Sequence, residues 1–315
     1  MTREDPRSPA AAAATSAATV LDLIEQGRQQ LDAAGVSFGH GTTNAFDEAA
    51  WLTLWKLGLP LDDLDAVAAA PVTPERTAAV QAVIAERIAT RKPAAYLTHE
   101  AWLQGVPFYV DERVIVPRSF IAELLADPDR GAALDAWLSD ETTRVLDLCT
   151  GNGSLAVLAA MAYPLVQVTG SDLSTDALDV ARVNVQRHGL GERVTLVESD
   201  GLAALAGPFD LILCNPPYVN SGSMDALPAE FRAEPQGALA GGADGMDLIR
   251  PILTGAIDHL APEGLLLLEI GHEAPFFEQA FPALEFAYLP VAAGDTLLVL
   301  VRRDQLVAAF PGPKR

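Results

Sequence analysis

The sequence has few cysteines and lacks an unbroken hydrophobic run that could cross a membrane. Only Cys149 and Cys214 occur among its 315 residues. This argues against a disulfide-stapled secreted protein and favours a reducing compartment, although both thiols also fit small buried positions at strand ends. The uncharged stretch 148–171 is interrupted by three glycines and a proline, which predict a loop, a helix and a strand. We therefore expect a cytoplasmic protein without membrane association.

Basic residues are also scarce. The chain has 21 Lys+Arg against 42 Asp+Glu, a formal net charge of −21. Without a basic arm or groove we expect no direct sequence-specific nucleic-acid binding. An acidic surface attracts basic polypeptides, although the same charge also serves solubility. The histidines show no metal-ligand spacing, so we predict no metal site; they are His40, His99, His188, His259 and His272.

The chain divides into four predicted regions. Residues 1–17 lack hydrophobic periodicity and indicate a disordered leader. Residues 18–92 predict a helical domain for substrate recognition, with helices that begin near Thr19 and Thr73 and one at 47–57. Its last basic residues, Arg87, Arg91 and Lys92, are expected to complement a helix C-terminus. Residues 93–118 predict extended structure, with a β-hairpin of 101–103 and 106–110 and a further strand at 114–116, and 119–315 form the largest domain.

The largest domain alternates strands and helices, which indicates an α/β fold with a mostly parallel, seven-stranded sheet whose last two strands are antiparallel. The predicted strands are 144–148, 166–171, 193–198, 209–214, 264–270, 285–289 and 296–301. Helices are expected near 154–163, 175–188, 245–260 and 274–281.

The segment 211–219, Leu-Ile-Leu-Cys-Asn-Pro-Pro-Tyr-Val, is the strongest functional candidate. Its apolar residues predict a buried strand, and the two prolines force the chain out of the sheet after Asn215. The Asn215 side-chain oxygen and the Pro216 carbonyl are two acceptors that suit a planar –NH2 group, and Tyr218 adds an aromatic face. The alternative is a rigid turn that only closes the strand.

A glycine-containing turn follows the first strand of this domain. Residues 147–153 read Asp-Leu-Cys-Thr-Gly-Asn-Gly, and such a turn lets the backbone approach a ligand closely. Ala156 stands where a dinucleotide motif has its third glycine, so an ordinary tight turn is the alternative. Asp172 follows the next strand at the spacing of a ribose-binding carboxylate, and Asp200 is placed to accept from an adenine amino group. Either aspartate is alternatively a helix cap.

Together these motifs resemble the class I S-adenosylmethionine-dependent methyltransferases. Within them the chain is similar to the protein-glutamine N5-methyltransferases of the HemK/PrmC and PrmB kind, over most of residues 93–247. The resemblance includes Val-Pro-Arg at 116–118, Arg-Ala-Glu-Pro at 232–235 and Gly-Ala-Asp-Gly at 242–245. It implies a Rossmann-like methyltransferase fold and the cofactor S-adenosyl-L-methionine.

The resemblance also implies roles for single residues. The cofactor would be held by Asp147, Cys149, Thr150, Gly151, Asn152, Gly153, Asp172, Leu173, Asp200, Gly201 and Asn215. The substrate glutamine would contact Arg118, Asn215, Pro216, Pro217 and Tyr218, of which Asn215, Pro216 and Tyr218 would be catalytic.

Residues 96–102, 108–113 and 116–119 resemble the PrmB branch, which methylates a large-subunit ribosomal protein of the uL3 type. Ser119 departs from the acidic-Thr pair usual in the branch that methylates release factors. The expected partner is therefore a basic ribosomal protein. Four other functions remain open: release-factor methylation, nucleic-acid amino-methylation, nicotinamide-dependent dehydrogenation, and a non-catalytic role in ribosome assembly.

Overall fold

The computed structural model describes residues 17–139 and 141–311. The predicted leader lies outside the described residues except for Ala17. The described chain forms two compact units: residues up to Gly35 with Asn44–Ala89 make the first, and Val36–Thr43 with residues from Thr90 onward make the second. The predicted domain boundaries at residues 93 and 119 remain predictions. No helix of the described residues is long and apolar enough to cross a membrane.

The first unit is helical, as predicted. Its helices are α1 (Val20–Ala34), α2 (Ala45–Leu57), α3 (Leu64–Val67) and α4 (Pro74–Thr90), the last of which ends one residue beyond the unit. Arg87 lies in the last turn of α4, as expected, and it also has a partner within the unit. Its side chain is buried on α4 and pairs with the buried carboxylate of Glu48 at 2.7 Å, because the amphipathic stripe of α4 turns this position toward α2.

The second unit opens with a helix where extended structure was predicted. Residues Ala94–Thr98 form α5, which ends at His99 in the left-handed conformation. The predicted hairpin is confirmed as β1 (Ala101–Leu103) and β2 (Val106–Phe108). Gln104 and Gly105, with φ of 50° and 75°, give the turn the backbone twist that two-residue hairpins favour. The predicted extension of the second strand to Val110, and a third strand at 114–116, are wrong, because side chains rather than a ladder hold residues 109–116.

The rest of the second unit is the predicted α/β fold. Its helices are α6 (Ile121–Ala126), α7 (Pro128–Asp135), α8 (Ser154–Ala162), α9 (Thr175–Arg187), α10 (Ser221–Ala226), α11 (Ala229–Arg232), α12 (Ile249–His259), α13 (Ala274–Ala280) and α14 (Arg303–Ala309), with a 3-10 helix at Gln236–Ala238. Its strands are β3 (Arg144–Leu148), β4 (Gln167–Asp172), β5 (Val194–Glu198), β6 (Phe209–Cys214), β7 (Leu260–Glu269), β8 (Ala287–Val291) and β9 (Gly294–Arg302).

These strands form one seven-stranded sheet in the order β5-β4-β3-β6-β7-β9-β8. The first five are parallel, while β9 pairs antiparallel with both β7 and β8. One apolar core lies on each face of the sheet, which explains why the central strands are apolar without alternation. Strand order reverses at β3, whose neighbours are β4 and β6. In open α/β sheets, ligands bind beyond the carboxyl ends of the strands at such a point.

Candidate active site

A cavity of about 340 Å³ lies at the carboxyl edge of the sheet. Residues that follow four parallel strands line it: Cys149 and Gly151 after β3, Asp172 and Leu173 at and after β4, Ser199, Asp200 and Gly201 after β5, and Asn215 and Pro217 after β6. Other lining residues come from two further segments, 113–115 and 235–238. The strand ends thus bring together residues that are up to 68 positions apart along the chain, from Cys149 to Pro217.

The turn after β3 shows the backbone geometry that its glycines predicted. Gly151 and Gly153 have φ of 54° and 79°, and Cys149 adopts φ of 62° although it has a side chain. A Cβ on Gly153 would lie 3.0 Å from the Cβ of Ala181, so this glycine lets α8 begin close against α9. Around Gly151 no described atom lies within 4 Å of a Cβ position. The backbone of this turn is therefore open beside Gly151 and packed at Gly153.

Asp147 holds this turn in place through hydrogen bonds to the turn itself and to α8. Its Oδ2 accepts from the Thr150 hydroxyl and, at 2.9 Å, from the Ala156 backbone N–H. The other oxygen, Oδ1, has no hydrogen-bond partner among the described residues. Burial raises the pKa of Asp147 to about 7, against the effect of those two hydrogen bonds. The side chain is fully buried and does not line the cavity.

Asp172 ties the ends of two strands together at the cavity. Its Oδ2 accepts from Gly151 N–H and its Oδ1 from Ser174 N–H, both at 2.9 Å. The cap of α9 is Ser174, whose hydroxyl accepts from Ala177 N–H, so Asp172 is not the helix cap that the alternative supposed. Asp200 is exposed at the cavity and caps no helix of the described residues. Two carboxylates therefore face the same cavity.

Asn215 leaves β6 at the reversal of strand order. The preceding residue, Cys214, is in register with Leu148 of β3 and Leu268 of β7, so Asn215 emerges from the middle of the sheet. Its side chain lines the cavity and forms no hydrogen bond with any described residue. An amide group with one acceptor and two donors is thus available to a ligand.

Tyr218 lies beside the cavity rather than in its wall, and its hydroxyl donates to Glu269 at 3.1 Å. The ring packs on Gly271, where a Cβ would come within 2.5 Å of it. Glu269 also accepts from the Ser119 hydroxyl at 2.6 Å and from Phe120 N–H at 2.9 Å. Burial raises the pKa of Glu269, although the hydrogen bonds from Ser119 and Tyr218 oppose that rise. This carboxylate joins the start of α6 to the Asn-Pro-Pro-Tyr turn.

Arg118, predicted to bind substrate, uses its guanidinium within the protein. It donates two hydrogen bonds of 2.7 Å to Glu234 and one of 3.0 Å to the Val116 carbonyl. It does not line the cavity. The pair joins two of the motifs that carried the resemblance, Val-Pro-Arg and Arg-Ala-Glu-Pro.

The predicted site residues thus fall into two groups. Cys149, Gly151, Asp172, Leu173, Asp200, Gly201, Asn215 and Pro217 line the cavity. Those that do not line it are Asp147, Thr150, Asn152, Gly153, Pro216, Tyr218 and Arg118. Most of the second group lies within one or two positions of a lining residue, and their binding roles remain predictions.

Sequence reasoning missed several residues of the site. Asn184 of α9 accepts from Tyr109 N–H at 2.7 Å and donates to the carbonyls of Tyr109 at 2.9 Å and Asn152 at 2.8 Å. It thereby joins the turn after β3 to the segment that follows the hairpin. A polar residue in the apolar stripe of α9, between Ala181 and Val185, is the sequence signal that points to it. For Glu269 the signal is an acid that ends a run of four leucines.

Comparison with known proteins agrees with this geometry. A family model described as a methyltransferase small domain matches residues 126–243. With the seven-stranded sheet and the cavity at its reversal point, this defines the protein as an enzyme of the methyltransferase class and confirms the predicted fold. Among solved structures, the chain is similar to a ribosomal protein L11 methylase from Lactobacillus delbrueckii, with 18% identity, a TM-score of 0.41, and coverage of 61% of this chain and 82% of the other.

Two relatives narrow the assignment. A ribosomal protein uL3 glutamine methyltransferase from Bordetella pertussis is 51% identical over 291 residues, covering 91% of this chain and 96% of the relative. Another of the same name from Burkholderia pseudomallei is 49% identical over 300 residues, covering 92% and 96%. The chain belongs to the ribosomal protein uL3 glutamine methyltransferase family, which confirms the resemblance.

Proposed function

We propose that this enzyme transfers a methyl group from S-adenosyl-L-methionine to the side-chain amide nitrogen (N5) of a glutamine in the large-subunit ribosomal protein uL3. The observation that carries the proposal is the Asn215 amide, which emerges at the reversal of strand order into a cavity that also exposes Asp172. The names of the relatives support the choice of uL3 as the substrate. The assignment also implies that the enzyme acts in the cytoplasm.

The residues at the cavity fit this cofactor. Gly151 and Gly201 both line it with positive φ, and no described atom lies within 4 Å of a Cβ position on either, so a flat ligand can approach their backbone. Asp172 would accept from the ribose hydroxyls, because each of its oxygens accepts only one N–H and retains a lone pair. Leu173, 67% exposed, offers an apolar surface to the adenine, and Asp200 an acceptor for its amino group.

The substrate amide needs orientation more than deprotonation. An amide nitrogen is a poor nucleophile because its lone pair is delocalised into the carbonyl. The Asn215 side-chain oxygen and the Pro216 carbonyl would accept the two N–H groups, turn the lone pair toward the cofactor, and stabilise positive charge that develops on nitrogen. When bound, S-adenosylmethionine supplies an electrophilic methyl group on a sulfonium centre. Neither a metal ion nor a strong base is needed before attack, because the N–H groups become acidic as the new bond forms.

The surrounding structure holds the acceptors in place. Pro216 and Pro217 restrict the backbone after Asn215, and the Tyr218 hydroxyl is held by Glu269 at the end of β7. A rigid turn lowers the entropy cost of orienting the amide. The net charge of −21 favours a basic protein substrate over nucleic acid.

The proposal is tested by incubating the purified enzyme with methyl-labelled S-adenosylmethionine and recombinant uL3. We expect one methyl group per uL3 molecule, located on a glutamine side chain by mass spectrometry, and an initial rate of labelling about a hundredfold or more lower with the Asn215→Ala variant. A release factor serves as the comparison substrate. Label on the release factor and none on uL3 would keep the chemistry and reject the substrate. Label on neither would reject the amide-methyltransferase proposal.

A further inference from the structure

The wall of the cavity contains one basic side chain among the described residues, Arg113. It lies on the segment that follows the hairpin and was not among the predicted site residues. The cavity's acidic side chains are Asp172 and Asp200. The proposed function gives no role to the positive charge of Arg113 in this cavity wall.

Arg113 is held in position by its own segment. Its Nε and Nη2 donate to the two oxygens of Asp111 at 2.9 and 2.7 Å, and its backbone N–H donates to the same carboxylate at 3.1 Å. Asp111 accepts a further hydrogen bond of 2.8 Å from the Tyr109 hydroxyl. The hydrogen bonds from Arg113 lower the pKa of Asp111 to about 2, so the carboxylate is charged at neutral pH and the ion pair persists.

This segment is joined directly to the turn after β3. Both backbone polar groups of Tyr109 bond to Asn184, which also donates to the Asn152 carbonyl. Arg113 is thus connected through Asp111, Tyr109 and Asn184 to the turn proposed to hold the cofactor. A cation supported in this way contacts a ligand with little loss of side-chain entropy.

The guanidinium retains donors for a ligand. It has five N–H groups, of which the Asp111 carboxylate takes one on Nε and one on Nη2. The side chain is 39% exposed, so those donors are reachable. Free N–H groups of a guanidinium favour a carboxylate or phosphate acceptor.

S-adenosylmethionine carries one anionic group, the carboxylate of its methionine portion. Asp172 and Asp200 repel that carboxylate, whereas Arg113 attracts it. We infer that Arg113 binds the carboxylate of S-adenosylmethionine and makes the enzyme select cofactors that carry the amino-acid carboxylate. This inference rests on the proposed function, because it names the residue that recognises one end of the proposed cofactor.

The test compares ligands that differ only at this end. Calorimetry would measure the affinities of S-adenosylmethionine, S-adenosylhomocysteine and decarboxylated S-adenosylmethionine, for the wild-type protein and for Arg113→Gln. We expect the wild type to prefer S-adenosylmethionine over the decarboxylated form by about tenfold or more, the range for a hydrogen bond to a charged group. Arg113→Gln should lose that preference and bind the decarboxylated form as the wild type does.

A matched control is Arg182→Gln, which removes an exposed arginine on α9 that pairs with Asp179 and does not line the cavity. It should leave all three affinities unchanged. An equal loss of affinity for both forms in Arg113→Gln would assign Arg113 to packing and overturn the inference. So would unchanged cofactor affinity with a raised KM for uL3, since that places the guanidinium against the protein substrate. Absence of binding to any of the three ligands in the wild type would instead reject the proposed cofactor.

Discussion

Arg118 and Glu234, 116 positions apart in the sequence, form a bidentate ion pair in which both hydrogen bonds measure 2.7 Å. Glu234 is buried, and its carboxylate also accepts from Val116 N–H at 2.9 Å. Burial by itself would raise the pKa of Glu234, but the neighbouring His40 and the hydrogen bonds from Arg118 lower it to about 2. The pair therefore holds segment 116–118 against the loop that continues into the cavity wall at Pro235.

We expect Arg118→Ala to reduce stability more than substrate binding. It leaves a buried carboxylate without its main partner, which costs about 3 kcal/mol in the free energy of unfolding. The double variant Arg118→Ala with Glu234→Gln removes the unpaired charge and should recover part of that loss. Urea denaturation of the three proteins measures this. Normal stability together with a raised KM for uL3 would show instead that Arg118 binds substrate, as the sequence predicted.

The buried carboxyl of Asp147 predicts a pH dependence of stability. Its pKa is about 7 in the folded protein and near 3.9 when unfolded. The folded state then holds the proton more tightly, so stability falls as pH rises from about 4 to 7, by at most about 4 kcal/mol. Asp147→Asn removes this dependence. The variant should gain stability relative to the wild type over this pH range in urea denaturation, and a constant difference would contradict the assigned pKa.

The fold was predictable because its signals are local. Runs such as 209–214 indicate buried strands, and the glycine turn and the two prolines mark where the chain leaves the sheet. Helix α5 was mistaken for extended structure because Pro93 was read as the end of helical structure, whereas proline is also well placed just before a helix begins. Short helices such as α7 and α14 lack enough turns to show a period.

The site was predictable only where it lies at strand ends. Asp172 and Asn215 follow strands directly, and parallel strands bring their carboxyl ends together. Arg113 and Asn184 reach the site through tertiary contacts such as that between Tyr109 and Asn184, 75 positions apart, for which local sequence carries no distance information. Arg118 was assigned to substrate from resemblance alone, and its partner Glu234 becomes visible only in the folded chain.

Asn184 should couple stability to cofactor binding. Asn184→Leu keeps a similarly branched side chain but removes three hydrogen bonds and leaves backbone groups of Tyr109 and Asn152 without them, a loss of about 3 kcal/mol in the free energy of unfolding. Affinity for S-adenosylmethionine should fall as well, because the turn after β3 loses this support. Gln186→Leu, on the exposed face of the same helix, is the control. If the two variants have the same free energy of unfolding and the same affinity for S-adenosylmethionine, the hydrogen bonds of Asn184 are dispensable.

Asp172 should matter mainly for cofactor affinity. Asp172→Asn keeps an acceptor for one of the two backbone N–H groups but removes the charge offered to the ribose hydroxyls. We expect affinity for S-adenosylmethionine to weaken by about 2–3 kcal/mol, the range for hydrogen bonds to charged groups. Calorimetry measures this, with Asp176→Asn as the control, because Asp176 is exposed and does not line the cavity. Unchanged affinity would remove the ribose role.

Asn215 should matter mainly for turnover. Asn215→Ala removes one of the two acceptors proposed to orient the glutamine amide while both prolines keep the turn, so kcat should fall about a hundredfold or more. Because its side chain bonds to no described residue, stability should change little, and cofactor affinity should change much less than kcat. Calorimetric binding of S-adenosylhomocysteine confirms that the variant is folded and that the cavity is intact. A raised KM with unchanged kcat would mean that Asn215 binds the ground state and transition state equally. If the folded variant has the kcat and KM of the wild type, the Asn-Pro-Pro-Tyr segment is only a rigid turn that closes the strand.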